Sequence, residues 1–444
     1  MFHTHFLQTD LYKSSHLCII VQFAAKINHR AILMRFVKCK PVNCRQLIIS
    51  CSYAIIVNIN ACKEYSERMN SAGIYIHVPF CLRKCPYCAF YSVKYCADTA
   101  QRYKEAVIRN IVGYGERYRG CLPVDTVYFG GGTPSLLSPF EVSEILEGVR
   151  RSFRLSPGAE ITLEVNPCTV DLSHMEGYAR AGINRVSIGV QSANDEELKL
   201  LGRLHNFSDA REAVIAARQA GITNISCDLM IGTPGQTLES VIDSAKKIAS
   251  LGAEHISCYL LKIEEGTPYD CGKIKALVAD DDLSSDMYLA VCRELRALGF
   301  ERYEISNFCR PGMRSRHNMK YWLREDYLGI GPSAHSFMDG RRFYAPSELD
   351  SFISSPMQTE LEEGSVDPLE EYVMLSLRLI DGLGYSELGS LGGDADTASK
   401  RAEKFVGGGL AESDGRRLWL TDKGALVSNG VILEMYLAAS GEAE

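Results

Sequence analysis

The chain has 444 residues, of which 46% are apolar and 23% charged, and carries a net charge of −7. This acidic balance argues against a general nucleic-acid binder, which would be basic overall. Sixteen cysteines without the layout of a secretory signal point to metal or redox chemistry in a reducing compartment, so a cytoplasmic location is expected.

Residues 1–68 carry Cys18, Cys39, Cys44, Cys51 and Cys62 at no metal spacing and show no sustained helical or alternating period. A strong strand follows Met69 almost at once. The expectation is that Met69 begins the native protein and that 1–68 is upstream translation or a disordered extension; a genuine N-terminal arm is the rival reading. Residues 47–61 are too short and too diluted by serine and asparagine to span a membrane, and 17–36 are interrupted by Lys26, His29 and Arg30.

From Gly73 onward strands alternate with helices. The pattern predicts strands at 74–78, 126–129, 160–165, 185–190, 224–230 and 255–261, with helices at 103–113, 139–152, 173–181, 209–220 and 238–250. Gly182, Gly221 and Gly252 each close a helical run ahead of a strand, as a left-handed cap does. Six β-then-α units with mostly apolar strands imply an α/β fold: a partial, TIM-like (β/α)6 barrel over 69–290. An open doubly wound sheet is the alternative. A helix is expected at 281–298, and residues 291–360 are read as a connecting segment rich in Gly, His and aromatics. In 361–444, EEYVMLSLRLIDG predicts an amphipathic helix with Tyr372, Leu375 and Leu379 on one face. GLAESDGRRLWLTDKGALVSNGVI then reads as strand, turn at Asp414-Gly415, strand and helix. That is a winged-helix-like α+β domain. Without a dense basic recognition helix it is read as a packing domain.

The chemistry-bearing stretch is HVPFCLRKCPYC, which places Cys81, Cys85 and Cys88 directly after the first strand, at the mouth where α/β proteins hold their sites. A structural zinc wants four protein ligands, and no fourth stands at zinc spacing. A four-iron cluster held by three thiolates keeps one iron open. Further loops share the pattern of a polar group at a strand end. They are FGGGTPS after the second strand, Glu164 in LEVNP, Gln191 in SIGVQS, Arg203 in LGRLH, and Asp228 in CDLMIGTPGQT. Three successive glycines would let a ligand approach the backbone closely; a plain strand-to-helix turn is the bland alternative.

HVPFCLRKCPYC resembles the signature of the radical S-adenosylmethionine (SAM) superfamily. In that superfamily SAM chelates the open iron of a [4Fe–4S] cluster, and the reduced cluster cleaves it to a 5′-deoxyadenosyl radical. With YFGGGTPS, NRVSIGVQS, LGRLH, CDLMIGTPGQT and EEGTPY, nearly everything from Gly73 onward is similar to one branch. That branch holds the oxygen-independent coproporphyrinogen III oxidases and the heme chaperones of the HemW type. The resemblance implies cluster ligation by Cys81, Cys85 and Cys88. It implies SAM contacts from Tyr75, Tyr87, Gly131, Gly132, Thr133 and Glu164, and from Gln191, Arg203 and Asp228, the last three matching contacts of a second SAM in the oxidase. The oxidase pattern has a further cysteine where this chain has Phe90, and the chaperone pattern has an aromatic there. Ala89 departs from the chaperone pattern, which more often has Asp. The resemblance also assigns an H-N-x-x-Y-W motif, here His317, Asn318, Tyr321 and Trp322, to heme handling. His335 is the next candidate imidazole. The implied protein binds heme, uses no nucleic acid and delivers heme to hemoproteins of a membrane-bound respiratory chain. The alternative is the oxidase itself, acting in porphyrin biosynthesis.

Overall fold

The structure, a computed structural model, describes residues 18–22, 33–37, 71–365 and 367–442. Strands Cys18–Gln22 and Leu33–Val37 pair antiparallel, a pairing not anticipated. The rest of residues 1–68, and with it the expectation about Met69, lies outside the described residues.

Six parallel strands form the centre: β1 (Ala72–Val78), β2 (Pro123–Gly131), β3 (Arg154–Val165), β4 (Arg185–Gln191), β5 (Asn224–Ile231) and β6 (His255–Leu260). Each pairs with the next in chain order. A doubly wound sheet would reverse direction at a switch point; this one does not, and its winding is that of a barrel. The crossover helices are α1 (Ala97–Arg117), α2 (Pro139–Ser152), α3 (Leu172–Ala181), α4 (Phe207–Gln219) and α5 (Leu238–Ser250), with α6 (Asp281–Ala297) after β6. Contacts run from α1 to α2, α3 and α4 in turn, and between α5 and α6. Helices α3 to α5 end as expected, with Gly182, Gly221 and Gly252 at positive φ.

Strand alternation decides what faces where. Ile74, Ile76, Val127, Phe129, Leu163 and Ile188 enter the apolar core under the helices. Their neighbours Tyr75, Tyr128, Glu164, Ser187 and Asp228 lie on the opposite, inner face.

The segment 291–360 does more than connect. It supplies β7 (Glu301–Arg302) and β8 (Asn307–Cys309) beside β6, then α7 (Arg316–Trp322). It also supplies β9 (Tyr327–Ile330), β10 (His335–Met338) and β11 (Arg341–Tyr344) on the other edge. Strand β9 runs parallel to β1, and β10, β11 and β12 (Leu361–Glu362) follow as an antiparallel meander. The 12-stranded order is β7-β8-β6-β5-β4-β3-β2-β1-β9-β10-β11-β12, and among the described residues no ladder joins β7 to β12. The barrel is partial.

A second apolar cluster belongs to α8 (Pro368–Ser376), α9 (Ala395–Gly407) and α10 (Ser428–Ser440). Beside it lies a sheet of Leu383–Gly384, Arg417–Leu420 and Ala411–Ser413, in that order. Helix α8 ends at Ser376, so Leu379 lies beyond it. Its cluster-facing line is Leu369, Val373 and Leu377, spaced by four, while Tyr372 only flanks the cluster. The expected face was out of phase with this line, although Leu375 and Leu379 are themselves buried. Among the described residues no helix is long and apolar enough to cross a membrane.

Candidate functional site

The loop after β1 is closed at its base by a two-residue parallel pairing of Phe80–Cys81 with Val93–Lys94. Inside it Cys88 N donates to the Cys85 carbonyl at 3.1 Å. Arg83 donates to the Gly202 carbonyl at 2.6 Å, and Tyr269 N, from EEGTPY, donates to the Pro86 carbonyl at 3.2 Å. Its own base and two distant segments therefore pin the loop. Cys81, Cys85 and Cys88 are free thiols, each partly buried. Burial pushes the Cys88 thiol up, and the neighbouring Cys85 and Cys81 add to the shift.

Two predicted residues from elsewhere reach these thiols. Thr133 Oγ1 lies 3.7 Å from Cys81 Sγ, and Arg203 Nη1 lies 3.7 Å from Cys85 Sγ. The other Arg203 Nη donates to the Gly189 carbonyl at 3.0 Å, and its Nε has no partner among the described residues. Tyr87 packs against Tyr269 with ring centroids 6.0 Å apart, and burial raises its hydroxyl pKa. Cys85, Thr133, Gly202 and Arg203 border one cleft with Asn166, which the sequence reading passed over as part of LEVNP. Among the described residues no three Cys, His, Asp or Glu side chains meet around a single ion. The donor set suits an iron–sulfur cluster: three soft thiols on one loop, with a hydroxyl and a guanidinium placed to offset thiolate charge.

A second group lies on the inner face. The Tyr75 ring sits 6.1 Å from Tyr128, whose hydroxyl donates to Glu164 at 2.9 Å. Gly131 N donates to the other oxygen of Glu164 at 3.1 Å. Loss of water around this carboxyl pushes its pKa up to about 7. Asp228 accepts from Ser187 at 3.2 Å, and burial raises its pKa as well. Gln191 ends β4 with φ at 69°, where the ladder to β5 slips. Tyr128 and Arg185 were missed. Arg185 is buried with Nε unpartnered among the described residues, and a charge opening an otherwise apolar strand was the available signal.

The glycine run has an explanation within the protein. A Cβ on Gly130 would meet Tyr75 and Tyr128 at 2.9 Å, one on Gly131 would meet the His77 ring at 2.8 Å, and one on Gly132 would meet the Phe80 carbonyl oxygen at 2.6 Å. The space these glycines leave is filled by β1, its neighbours and the start of the cysteine loop.

The H-N-x-x-Y-W residues lie on α7. His317 is fully buried; Nδ1 lies 2.8 Å from Thr126 Oγ1 and Nε2 2.9 Å from the Tyr321 hydroxyl. Both ring nitrogens are thus engaged, and burial lowers its pKa to about 3. Tyr321 packs edge-on against Tyr327 at 4.6 Å. Asn318 N donates to the N-cap Ser315 at 3.4 Å, and Trp322 lies under Arg378 at 5.8 Å. In this arrangement the motif holds α7 against β2; it offers no free imidazole.

A model of the Radical SAM superfamily matches residues 75–248, and one of the HemN C-terminal domain matches residues 366–427. The heme chaperone HemW of Escherichia coli strain K12 is 34% identical over 82% of this chain and 98% of its own length. The chain belongs to the HemW family of radical SAM proteins. The heme chaperone HemW of Synechocystis is 38% identical over 71% of this chain and 80% of its own length. The solved coproporphyrinogen III oxidase (HemN) of Escherichia coli superposes with a TM-score of 0.71 at 22% identity, covering 84% of this chain and 92% of that one. That likeness shows a shared fold.

Proposed function

We propose that this protein is a cytoplasmic heme carrier that holds a [4Fe–4S] cluster and SAM, and that it delivers heme to hemoproteins of a respiratory chain. The observation that carries the reading is the match to relatives named heme chaperone HemW, one of them over 98% of its length. Phe90, 68% exposed, supports it, standing where the oxidase pattern has a further cysteine.

In this reading Cys81, Cys85 and Cys88 hold the cluster. Tyr75, Tyr87, Gly131, Gly132, Thr133 and Glu164 serve SAM, joined by Gln191, Arg203 and Asp228. Bound together, cluster and SAM supply one-electron chemistry that the polypeptide alone lacks. The chain's own part is electrostatic and positional. Arg203 and Thr133 offset thiolate charge, and the pinned loop keeps the thiols in place. Glu164, titrating at about 7, changes charge near neutrality on the inner face. Residues 69–290 serve as the cofactor-binding core, with 291–360 and 361–444 as the remaining units.

The test uses anaerobically reconstituted protein given SAM, reductant and coproporphyrinogen III, and separately titrated with hemin. Stoichiometric hemin binding without porphyrin turnover is the expected result. Formation of protoporphyrinogen IX would overturn the carrier reading in favour of the oxidase.

A further inference from the structure

The inner face continues past β1 onto β9, β10 and β11. Ser336 is buried, and Met338 and Phe343 enter the core under the helices. By alternation His335 and Tyr344 point the other way, to the face that carries Tyr75. The register aligns them: Tyr128 opposite Tyr75, Tyr75 opposite Gly329, and His335 opposite Tyr344. Gly329 abuts His335, because a Cβ there would fall 2.2 Å from the His335 carbonyl oxygen. The row therefore reads Tyr128, Tyr75, Gly329 covered by the His335 backbone, His335, Tyr344.

His335 differs from His317 in each property that matters to a metal. Its side chain is 56% exposed. Nδ1 lies 2.6 Å from Glu363 Oε1, which makes Nδ1–H the donor and leaves Nε2 as the basic nitrogen. Nε2 has no partner among the described residues. The ring is stacked on Tyr344, 5.2 Å between centroids and 20° between planes. A carboxylate behind one imidazole nitrogen with the other left open is how proteins orient a histidine toward a metal and raise its basicity. The loop before it is fixed as well: Ser333 N donates to the Ala345 carbonyl at 3.1 Å, and Ala345 N donates to the Ala334 carbonyl at 2.9 Å.

We infer that His335 is the protein's axial ligand to heme iron, with Glu363 as its positioning residue. This rests on the carrier reading above and places the cargo beside the cofactor core, away from the buried His317.

Hemin titration of the full chain tests it, with absorption and electron paramagnetic resonance spectra recorded for each variant. Wild type is expected to bind one equivalent with an imidazole-ligated spectrum. His335→Ala loses that spectrum and binds at least about tenfold more weakly, and His335→Gly regains the spectrum when free imidazole is added. Glu363→Gln keeps imidazole ligation but weakens binding about tenfold, the usual scale for a lost outer-shell partner. His335 is exposed, and circular dichroism checks that its variants fold. If wild type binds hemin and His335→Ala matches it in spectrum and affinity, the ligand assignment is overturned while the carrier reading stands. If wild type binds no hemin, both fall.

Discussion

Glu164 and His317 are two buried titrating groups with opposite consequences for pH. Glu164 keeps its proton up to about 7 against an ordinary 4.5. In that window the folded protein holds a proton the unfolded chain has lost, so stability falls as pH rises. His317 is lowered from 6.5 to about 3. Between those values the unfolded chain holds the extra proton, so stability rises with pH. The two slopes oppose each other from pH 4.5 to 6.5. Glu164→Gln removes one of them, and its Tm is expected to climb more steeply with pH across that interval than wild type, as read by scanning calorimetry of cluster-free protein. A Tm–pH curve parallel to wild type would show that Glu164 is not held protonated.

At the scale of elements, the turn after β2 decides whether the cysteine loop can form. Gly132 N donates to the Val78 carbonyl at 2.8 Å, and a Cβ at 132 would stand 2.6 Å from the Phe80 carbonyl oxygen. Backbone atoms cannot swing aside as a flexible side chain would. Gly132→Ala is therefore expected to lose about 1–3 kcal/mol by overpacking and to lower the iron–sulfur absorbance after reconstitution; unchanged absorbance with unchanged Tm would refute the close approach. The same elements show what was legible in the sequence. Helices α2 and α5 match their predicted spans because Ser138 and Thr237 cap them with reciprocal side-chain bonds. The triad Cys81, Cys85 and Cys88 was legible because its chemistry lies within eight residues. Arg203 could be suspected but not placed: its contact with Cys85 spans 118 residues and depends on how the end of β4 folds back. Strands β9 to β12 were hidden because each has four residues or fewer and borrows its order from the sheet. His317 misled for a related reason: no local pattern announces that Thr126 and Tyr321 occupy both its nitrogens.

Across the whole molecule, the C-terminal cluster is fastened to the sheet edge through charge. Arg302 on β7 is buried and donates to Asp422 at 3.0 Å and to the Leu420 carbonyl at 2.8 Å, while Arg296 on α6 reaches the same carboxylate at 2.8 Å. These arginines hold the Asp422 carboxyl below its ordinary pKa. Asp422→Ala would strand a buried guanidinium, with an expected loss of about 3 kcal/mol and, in calorimetry, a transition that splits as the C-terminal unit melts first. A single transition shifted by less than a degree would show that the linkage carries no load.

The missing ladder between β7 and β12 has its own mechanical meaning. In a closed barrel, strand number sets the bore, and even eight strands leave room only for side chains or one small ligand. An unclosed wall has no fixed bore. Its two rims are held instead by the C-terminal unit, Arg302 on β7 through Asp422 and Arg342 on β11 through Glu371 on α8, so the width of the slit is set by those ion pairs together with the bending stiffness of the sheet.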